Sequence, residues 1–286
     1  MEHNAVWRPL VALARRGVAF TIAQADESGR LSVESVLRAL RPNTRLVAVA
    51  HASNVNGAVQ PVEEIGAAVR ARGAAFLVDA AQSAGALPID VEAMGIDLLA
   101  FPGHKALLGP QGTGGLYVRE GIELDPVNIG GTGSHSESPD PPAFLPDRLE
   151  SGTLNLPGVA GLNQGVLEVL TRGVEAIHAH EMRLRAELAE GLRGIDGVRL
   201  YEPGGQERAA VVAFNLEGWD PVEVAAELEK RFGVVCRAGL HCAWLAHRTL
   251  GTAPAGAVRF SLGPFTQSET VTAACAAVRN LARQGK

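Results

Sequence analysis

The sequence has few cysteines, no long apolar run and no excess of positive charge. Its three cysteines, Cys236, Cys242 and Cys275, are a low and odd number for 286 residues, which argues against a disulfide framework. A cysteine that matters to function is therefore expected to act as a free thiol, although the commonest role of a lone cysteine is that of a small buried apolar residue.

The features of a membrane-spanning or nucleic-acid-binding protein are also missing. No apolar stretch approaches the roughly 18 residues that a membrane helix needs, and lysine and arginine form no run longer than Arg15-Arg16. A net charge of −5 provides no positive field to attract phosphates. The opening Met1-Glu2-His3-Asn4 has neither the basic start nor the apolar core of a signal peptide. We therefore expect a cytoplasmic protein with no nucleic-acid and no membrane partner.

In its first 120 residues, the chain alternates short apolar runs with amphipathic stretches. The predicted strands are Val18–Ile22, Leu46–Ala50, Ala75–Val78, Leu98–Phe101 and Gly115–Val118, and the predicted helices are Ser32–Leu40 and Pro61–Arg72. Short, wholly apolar strands separated by helices are typical of a parallel sheet covered on both faces. We predict an α/β fold with a mainly parallel sheet sandwiched by helices.

The second half of the chain predicts a smaller α+β module. It follows a stretch rich in Gly, Pro and Ser at residues 121–157, a length of loop that is usually functional or disordered. The predicted helices are Gly158–Arg193, with a bend at Arg172-Gly173, Pro221–Phe232 and Ser268–Arg283, and the predicted strands are Val198–Tyr201, Ala209–Asn215, Val234–Arg237 and Ala257–Leu262. We place a large domain at residues 1–164 and a smaller C-terminal domain at residues 165–286.

Three polar clusters follow predicted strands of the first sheet. These are His51–Asn54, Asp79 and Gly103–Lys105. In open α/β sheets, ligands bind beyond the carboxyl ends of the strands. The sequence therefore predicts a ligand site at this edge.

Lys105, Asp79 and Gln82 are the candidates for chemistry within these clusters. A lone lysine is most often a solvated surface charge, but Lys105 lies in an apolar, glycine-rich setting, where desolvation would make its amine nucleophilic. Asp79 at a strand end is most often a helix cap; alternatively, its charge could keep a pyridinium nitrogen protonated. Gln82 could hydrogen-bond a ring oxygen, or could be an ordinary surface amide.

The motifs carry a family resemblance. His51-Ala52-Ser53-Asn54, Val78-Asp79-Ala80-Ala81-Gln82 and Gly103-His104-Lys105 resemble the class V aminotransferase family, whose members have the type I fold of pyridoxal-phosphate (PLP) enzymes. The segments Arg237-Ala238-Gly239-Leu240-His241-Cys242-Ala243 and Val258-Arg259-Phe260-Ser261-Leu262 are similar to those of the cysteine desulfurase branch, which includes SufS-type enzymes and selenocysteine lyases. The resemblance extends through essentially the whole chain.

The resemblance implies how the cofactor is held. Lys105 matches the lysine that forms the Schiff base with PLP. Asp79 matches the residue that holds the pyridine nitrogen, Gln82 the residue that holds the ring oxygen, and His3 the histidine that stacks on the ring face. His104 lies beside the phosphate in this scheme.

The resemblance also implies the substrate, the nucleophile and a partner. Asn54 and Arg259 match the ligands of the substrate carboxylate, which suits a guanidinium fork; otherwise Arg259 would be interpreted as part of a surface ion pair. Cys242 matches the nucleophilic cysteine, and the neighbouring His241 could raise its thiolate fraction as a base or cation. Thr153 matches a phosphate contact donated by a second subunit, which implies a homodimer.

The sequence departs from the family in two places. Met1-Glu2-His3 matches the end of a strand in the family. The rest of that strand, and a threonine-bearing turn that binds the PLP phosphate, would precede these residues. We therefore expect an N-terminally shortened member. Pro102 also stands where many relatives carry a serine that hydrogen-bonds the phosphate. Proline cannot make that contact, because it has neither a hydroxyl nor an N–H.

The implied reaction is the conversion of L-cysteine to L-alanine, with the sulfur held as a persulfide on Cys242 and later collected by an acceptor. Another class V aminotransferase activity, a selenocysteine lyase and a non-catalytic remnant of the PLP fold remain alternatives. We expect no metal site. A dinucleotide-binding fold is disfavoured, because Gly130-Gly131-Thr132-Gly133 lacks the spacing of the dinucleotide motif.

Overall fold

The computed structural model describes residues 1–205 and 207–285. It contains two four-stranded sheets, each with its own apolar core and its own helices. None of the helices in these two ranges is both long enough and apolar enough to span a bilayer.

The first sheet is mainly parallel and belongs to the N-terminal half. Its strands are β1 (Leu46–Ala50), β2 (Ala75–Asp79), β3 (Leu98–Pro102) and β4 (Gly114–Val118), in the spatial order β1-β2-β3-β4, and the helices of this half are α1 (Asn4–Ala14), α2 (Val33–Ala39) and α3 (Val62–Arg70). Strands β1, β2 and β3 run parallel, and β4 pairs antiparallel with β3. Fully buried Ile65, Phe76 and Ile96 form part of the core. The predicted fold class is therefore confirmed.

The second sheet is antiparallel throughout. The elements of this half are α4 (Leu156–Arg172), α5 (Val174–Arg193), β5 (Val198–Leu200), β6 (Val211–Leu216), α6 (Pro221–Phe232), β7 (Arg237–Gly239), α7 (Trp244–Thr249), β8 (Ala257–Ser261) and α8 (Ser268–Ala282). The strand order is β5-β6-β8-β7. Leu184, Leu188, Phe214 and Leu228 pack in its core. The division at residue 165 remains a prediction, and that position falls inside α4.

Three expectations for individual elements were wrong. The strand predicted at Val234–Arg237 begins only at Arg237, as β7. Val18–Ile22 forms no strand; Val18 and Ile22 are exposed, and Phe20 packs edge-on against Trp7 of α1 at 5.6 Å between ring centroids. The predicted long helix is two helices, because Gly173 adopts a φ of 84° that ends α4 and begins α5. Glycine enters this conformation without the steric cost that a side chain brings.

Candidate active site

The three polar clusters converge at the carboxyl edge of the first sheet, as predicted. The His51 N–H, just past β1, donates to the carbonyl oxygen of Asp79 at the end of β2 at 2.9 Å. The next amide, Ala80 N–H, donates to Ala100 O of β3, also at 2.9 Å. The ends of β1, β2 and β3 are thereby joined, which places Asp79 between the His51–Asn54 segment and the Lys105 turn.

Lys105 lies in a tight turn that begins where β3 ends. The Gly103 N–H donates to Thr113 O at 2.8 Å, and Gly109 N–H donates to Gly103 O at 2.8 Å. A β-carbon at Gly103 would lie 2.3 Å from Thr113 Oγ1, so this close approach requires glycine. The glycines that suggested a special environment around Lys105 therefore serve to close its turn.

Burial of Lys105 favours a reactive amine. Desolvation lowers the pKa of Lys105, the positive charge of Arg259 lowers it further, and the negative charge of Asp79 acts in the opposite direction. The side chain retains access to solvent at the mouth of a cavity. A lowered lysine pKa increases the fraction of neutral amine, which is the nucleophilic form.

Asp79 both closes a turn and places a charge in the site. Its Oδ1 accepts from the Ala81 N–H at 2.9 Å, but residues 81–86 form turns and no helix, so Asp79 is not a helix cap. Its Oδ2 has no hydrogen-bond partner in the described residues. The carboxylate also influences the pKa of both Lys105 and His3. One oxygen therefore fixes the side chain and the other is free to face a ligand.

His3 is ordered by a helix and joined to the cysteine turn. Its Nδ1 accepts from the Ala5 N–H at 3.1 Å and caps α1. The next amide, Asn4 N–H, donates to the carbonyl oxygen of Cys242 at 2.7 Å. Desolvation lowers the pKa of His3, with the charge of Lys105 as the next cause. His3 therefore lies within the same site as Asp79 and Lys105.

Arg259 and Asn54 form the link between the two halves of the site. Arg259 Nη1 donates to the backbone oxygen of Asn54 at 2.7 Å, and Asn54 Nδ2 donates to the backbone oxygen of His241 at 2.8 Å. Arg259 Nε is buried without a partner, and the guanidinium makes no ion pair in the described chain. Arg259 is thus no surface pair, and a half-buried guanidinium without an anion suits a carboxylate ligand.

Cys242 is the exposed cysteine of the chain, whereas Cys275 is buried. Cys242 and His241 both adopt positive φ values, 56° and 49°. His241 cannot supply a cation to the thiol at neutral pH, because burial, followed by the charge of Arg259, lowers its pKa to about 4. Its two ring nitrogens also already face His247 and Arg237. The expected role of His241 as a base or cation is therefore not supported.

A cavity of about 360 Å³ opens between the two halves of the chain beside Lys105. This volume falls within the range of small-molecule sites. Its walls include Gln82, Lys105, Leu108, Glu181, Arg259 and Ser261. A predicted cofactor residue, the predicted lysine and a predicted substrate ligand thus line one cavity.

The two remaining predicted residues lie at the surface. His104 is exposed in the Lys105 turn, and Thr153 is exposed in the loop before α4. Thr153 is not among the residues that line the cavity in this single chain. Its expected contact across a subunit boundary remains a prediction.

Two residues of the site escaped prediction from the sequence. Arg237 stands within the quoted cysteine motif but was given no role there. Desolvation lowers the pKa of both His3 and Arg259, and the charge of Arg237 lowers both further. Glu181 of α5 is 3% exposed and lines the cavity. Its only signal is its place one turn before Leu184 and Arg185 on the buried face of α5.

Glu181 makes stability depend on pH. Burial raises the pKa of its carboxyl from 4.5 to about 7, so the folded state favours the neutral acid. That contribution is fully present below pH 4.5 and is lost as the pH rises to about 7. In Glu181→Gln, which is always neutral, the free energy of unfolding relative to wild type should therefore increase by about 2 kcal/mol between pH 5 and pH 8. Urea denaturation at both pH values measures this difference.

An exposed glutamate on the same helix provides the control. Glu187→Gln should show no comparable growth with pH, because Glu187 is exposed and paired with Arg183. A stability difference for Glu181→Gln that stays constant from pH 5 to pH 8 would mean that Glu181 ionises as an ordinary surface carboxylate does.

The residues around the cavity fit the ring and the aldehyde of PLP. Lys105 offers an amine of lowered pKa, Asp79 retains a free carboxylate oxygen, and Gln82 lies in the cavity wall. On the phosphate side, β3 ends in Pro102, which offers neither a hydroxyl nor an N–H. The described residues thus match the group more fully at its ring than at its phosphate.

Comparison with known proteins gives this geometry a family. A sequence model of the aminotransferase class-V family matches residues 1–273. A probable cysteine desulfurase of Methanothermobacter thermautotrophicus is 38% identical over 277 residues, which cover 95% of this chain and 69% of that protein. The chain spans 59% of the length of a Xylella fastidiosa relative with the same description.

Solved structures agree with the sequence relatives. The apo structure of a cysteine desulfurase from Thermococcus onnurineus NA1 aligns with a TM-score of 0.90 at 33% identity, covering 99% of this chain and 71% of that one. The cysteine desulfurase CsdA of Escherichia coli, in its S-sulfonic acid form, aligns with a TM-score of 0.88 at 28% identity, covering 100% of this chain and 71% of that one. The site described above therefore lies in a member of the aminotransferase class-V family, on the branch whose relatives are named cysteine desulfurases.

Proposed function

We propose that this chain is a PLP-dependent cysteine desulfurase that converts L-cysteine to L-alanine and holds the sulfur as a persulfide on Cys242. One observation carries the proposal. An exposed cysteine lies on a turn whose backbone is hydrogen-bonded to Asn54, and Asn54 in turn accepts from Arg259 in the wall of the Lys105 cavity. A thiol nucleophile, a carboxylate anchor and a reactive amine therefore belong to one connected site.

The cofactor would be held by residues of the first half. Lys105 would bind it covalently, Asp79 would keep its ring nitrogen protonated, Gln82 would contact its ring oxygen, and His3 would cover its ring face. When bound, PLP withdraws electrons from the α-carbon of the substrate.

The remaining steps are carried out by side chains of the protein. Arg259 binds the substrate carboxylate through the N–H groups that do not donate to Asn54 O. The second amide hydrogen of Asn54 donates to the same carboxylate. The Lys105 amine accepts the proton of the α-carbon and returns it later. These two roles orient the amino acid with its sulfur toward Cys242.

The sulfur transfer follows from that orientation. The Cys242 thiolate attacks the substrate sulfur, so an S–S bond forms while the Cβ–S bond breaks and its electron pair stays with the substrate carbon. That carbon is protonated, and alanine leaves. The sulfur is oxidised to the persulfide level as the carbon is reduced, and a second thiol then collects it. Because Cys242 is exposed, a sulfur-acceptor protein could reach it.

A direct assay tests the proposed function. The purified chain, supplied with PLP, L-cysteine and a thiol reductant, should release sulfide and alanine in equal amounts. A chain that takes up no PLP would be a non-catalytic remnant instead. A chain that takes up PLP but forms pyruvate from alanine and a keto acid, with no sulfide from cysteine, would be an aminotransferase.

We also propose that the chain forms a homodimer through α4. Several large apolar side chains of this helix are exposed, and they lie three, eight and three residues apart, which keeps them on one face: Leu156, Val159, Leu167 and Leu170. Such spacing produces one apolar stripe on a helix, and an exposed stripe of this kind marks an association surface. The exposed Thr153 lies just before this stripe, at a place from which it could contact a second subunit.

The dimer can be tested by placing charge on the stripe. The double variant Leu167→Glu/Leu170→Glu should sediment as a monomer where wild type sediments as a dimer, because two buried carboxylates without partners would oppose association. The control is Val222→Glu, an exposed apolar position on α6, which should leave the sedimentation unchanged. A wild-type monomer at micromolar concentration would refute the proposed dimer.

A further inference from the structure

Behind the cysteine turn lies a chain of two imidazoles and a hydroxyl that the proposed chemistry does not use. His241 Nδ1 lies 3.2 Å from His247 Nε2, and His247 Nδ1 lies 2.6 Å from Thr252 Oγ1. All three side chains are buried, with His247 completely so. The two rings are nearly parallel, at 19°.

The carbonyl oxygen of Arg237, beside His241, determines which atom donates in each of these hydrogen bonds. His241 Nε2 faces the carbonyl oxygen of Arg237 at 3.4 Å, and a carbonyl can only accept, so Nε2 carries the hydrogen. A neutral imidazole carries one N–H, and burial lowers the pKa of both histidines to about 4. His241 Nδ1 therefore accepts from His247 Nε2–H, and the Thr252 hydroxyl donates to His247 Nδ1. At neutral pH every ring nitrogen has a partner.

The turn in front of this chain has a backbone that needs support. His241 and Cys242 are consecutive residues at φ 49° and 56°, a conformation that residues with side chains rarely adopt. Asn54 Nδ2 holds the carbonyl oxygen of His241, and Asn4 N–H holds that of Cys242. The side chain of His241, the residue preceding the thiol, is held by His247 at 3.2 Å and more loosely by the carbonyl oxygen of Arg237 at 3.4 Å.

We infer that His247 is a positioning residue for Cys242: its N–H to His241, supported from behind by Thr252, holds the left-handed turn from which the thiol projects. The inference deepens the proposed function, because it assigns what places the nucleophile. His247 itself is fully buried and would touch neither substrate nor cofactor.

The first test measures the turn without any turnover. Hydrogen–deuterium exchange of the full chain compares wild type, His247→Leu and His247→Gln. Losing one hydrogen bond should speed exchange of the Ala243 and His247 amides about tenfold in the leucine variant. Glutamine can still donate an N–H to His241 Nδ1, so it should restore protection to within about threefold of wild type. Peptides from α8 should be unchanged in all three.

Each outcome of that experiment decides the inference. Unchanged amide exchange in His247→Leu would overturn the inference. So would equally fast exchange in His247→Gln and His247→Leu while α8 stays protected, because the effect would then come from lost packing and not from the lost hydrogen bond. If the leucine variant also loosens α8, Thr252→Val decides instead: it removes a single hydroxyl, and exchange at the two amides should rise about threefold. No rise there would overturn the inference.

The second test separates binding from chemistry in the PLP-loaded enzyme. A misplaced nucleophile should lower kcat for sulfide release about tenfold. KM should stay within about threefold, because Arg259 still binds the carboxylate. A raised KM with unchanged kcat would count against positioning. If wild type releases no sulfide, the proposed function fails, but the exchange experiment still decides the role of His247.

Discussion

Lys105→Ala is expected to abolish covalent capture of PLP and to lower sulfide release from cysteine by about a thousandfold or more. The variant removes both the amine that binds the cofactor and the base that moves the α-proton. After borohydride reduction of wild type, mass spectrometry should place one pyridoxyl group on the peptide that contains Lys105. In the variant, no peptide should carry it.

Because the sequence has few lysines, the labelled residue can be identified without ambiguity. The sequence has three lysines, Lys105, Lys230 and Lys286. Lys230 is exposed at the end of α6, so Lys230→Ala is the matched control and should keep both the label and the activity. A pyridoxyl group found on Lys230 in wild type, or a Lys105→Ala variant with normal turnover, would remove Lys105 from the site.

Cys242→Ala is expected to separate cofactor binding from sulfur transfer. The variant should still acquire the pyridoxyl label on Lys105, but its sulfide release should fall at least about a hundredfold, because no thiolate remains to attack the substrate sulfur. In wild type incubated with cysteine and no reductant, the peptide containing Cys242 should gain the mass of one sulfur atom. The assay and the mass measurement can be made on the same samples.

Cys236 provides the control for that experiment. Burial, with the charge of Glu229 as the second cause, raises the pKa of the Cys236 thiol to about 11, so it stays protonated and unreactive near neutrality. Cys236→Ala should therefore keep its activity, and Cys236 should gain no sulfur in wild type. Undiminished sulfide release by Cys242→Ala would rule out Cys242 as the nucleophile.

The sequence predicts the edge of the first sheet well because that edge is encoded locally. Each of β1, β2 and β3 is a short apolar run followed at once by a polar cluster, and parallel strands bring such clusters together. The pattern carries less information about strand direction: β4 has the apolar residues of its neighbours but runs antiparallel to β3. Val18–Ile22 has the composition of a strand but pairs with no strand in the described residues.

The parts of the site that escaped prediction depend on tertiary packing. Glu181 and His247 are polar residues in helices, and their burial depends on other elements that pack over them. The role of His241 is a similar case. Its position next to Cys242 suggests a base, but the pairing of both its ring nitrogens and its burial depend on α7 and on Arg237.

The hydrogen bond from Arg259 to the backbone of Asn54 has a stereochemical consequence. It fixes the plane of the guanidinium, and so fixes the direction from which a carboxylate can approach it. Under the proposed function, an amino acid bound there would direct its amine to Lys105 and its side chain to Cys242, which lie on different elements of the fold. Three fixed points of attachment are what a site needs to distinguish a molecule from its mirror image. If the D-enantiomer bound with its carboxylate and amine in the same places, its α-hydrogen and not its sulfur-bearing side chain would face Cys242.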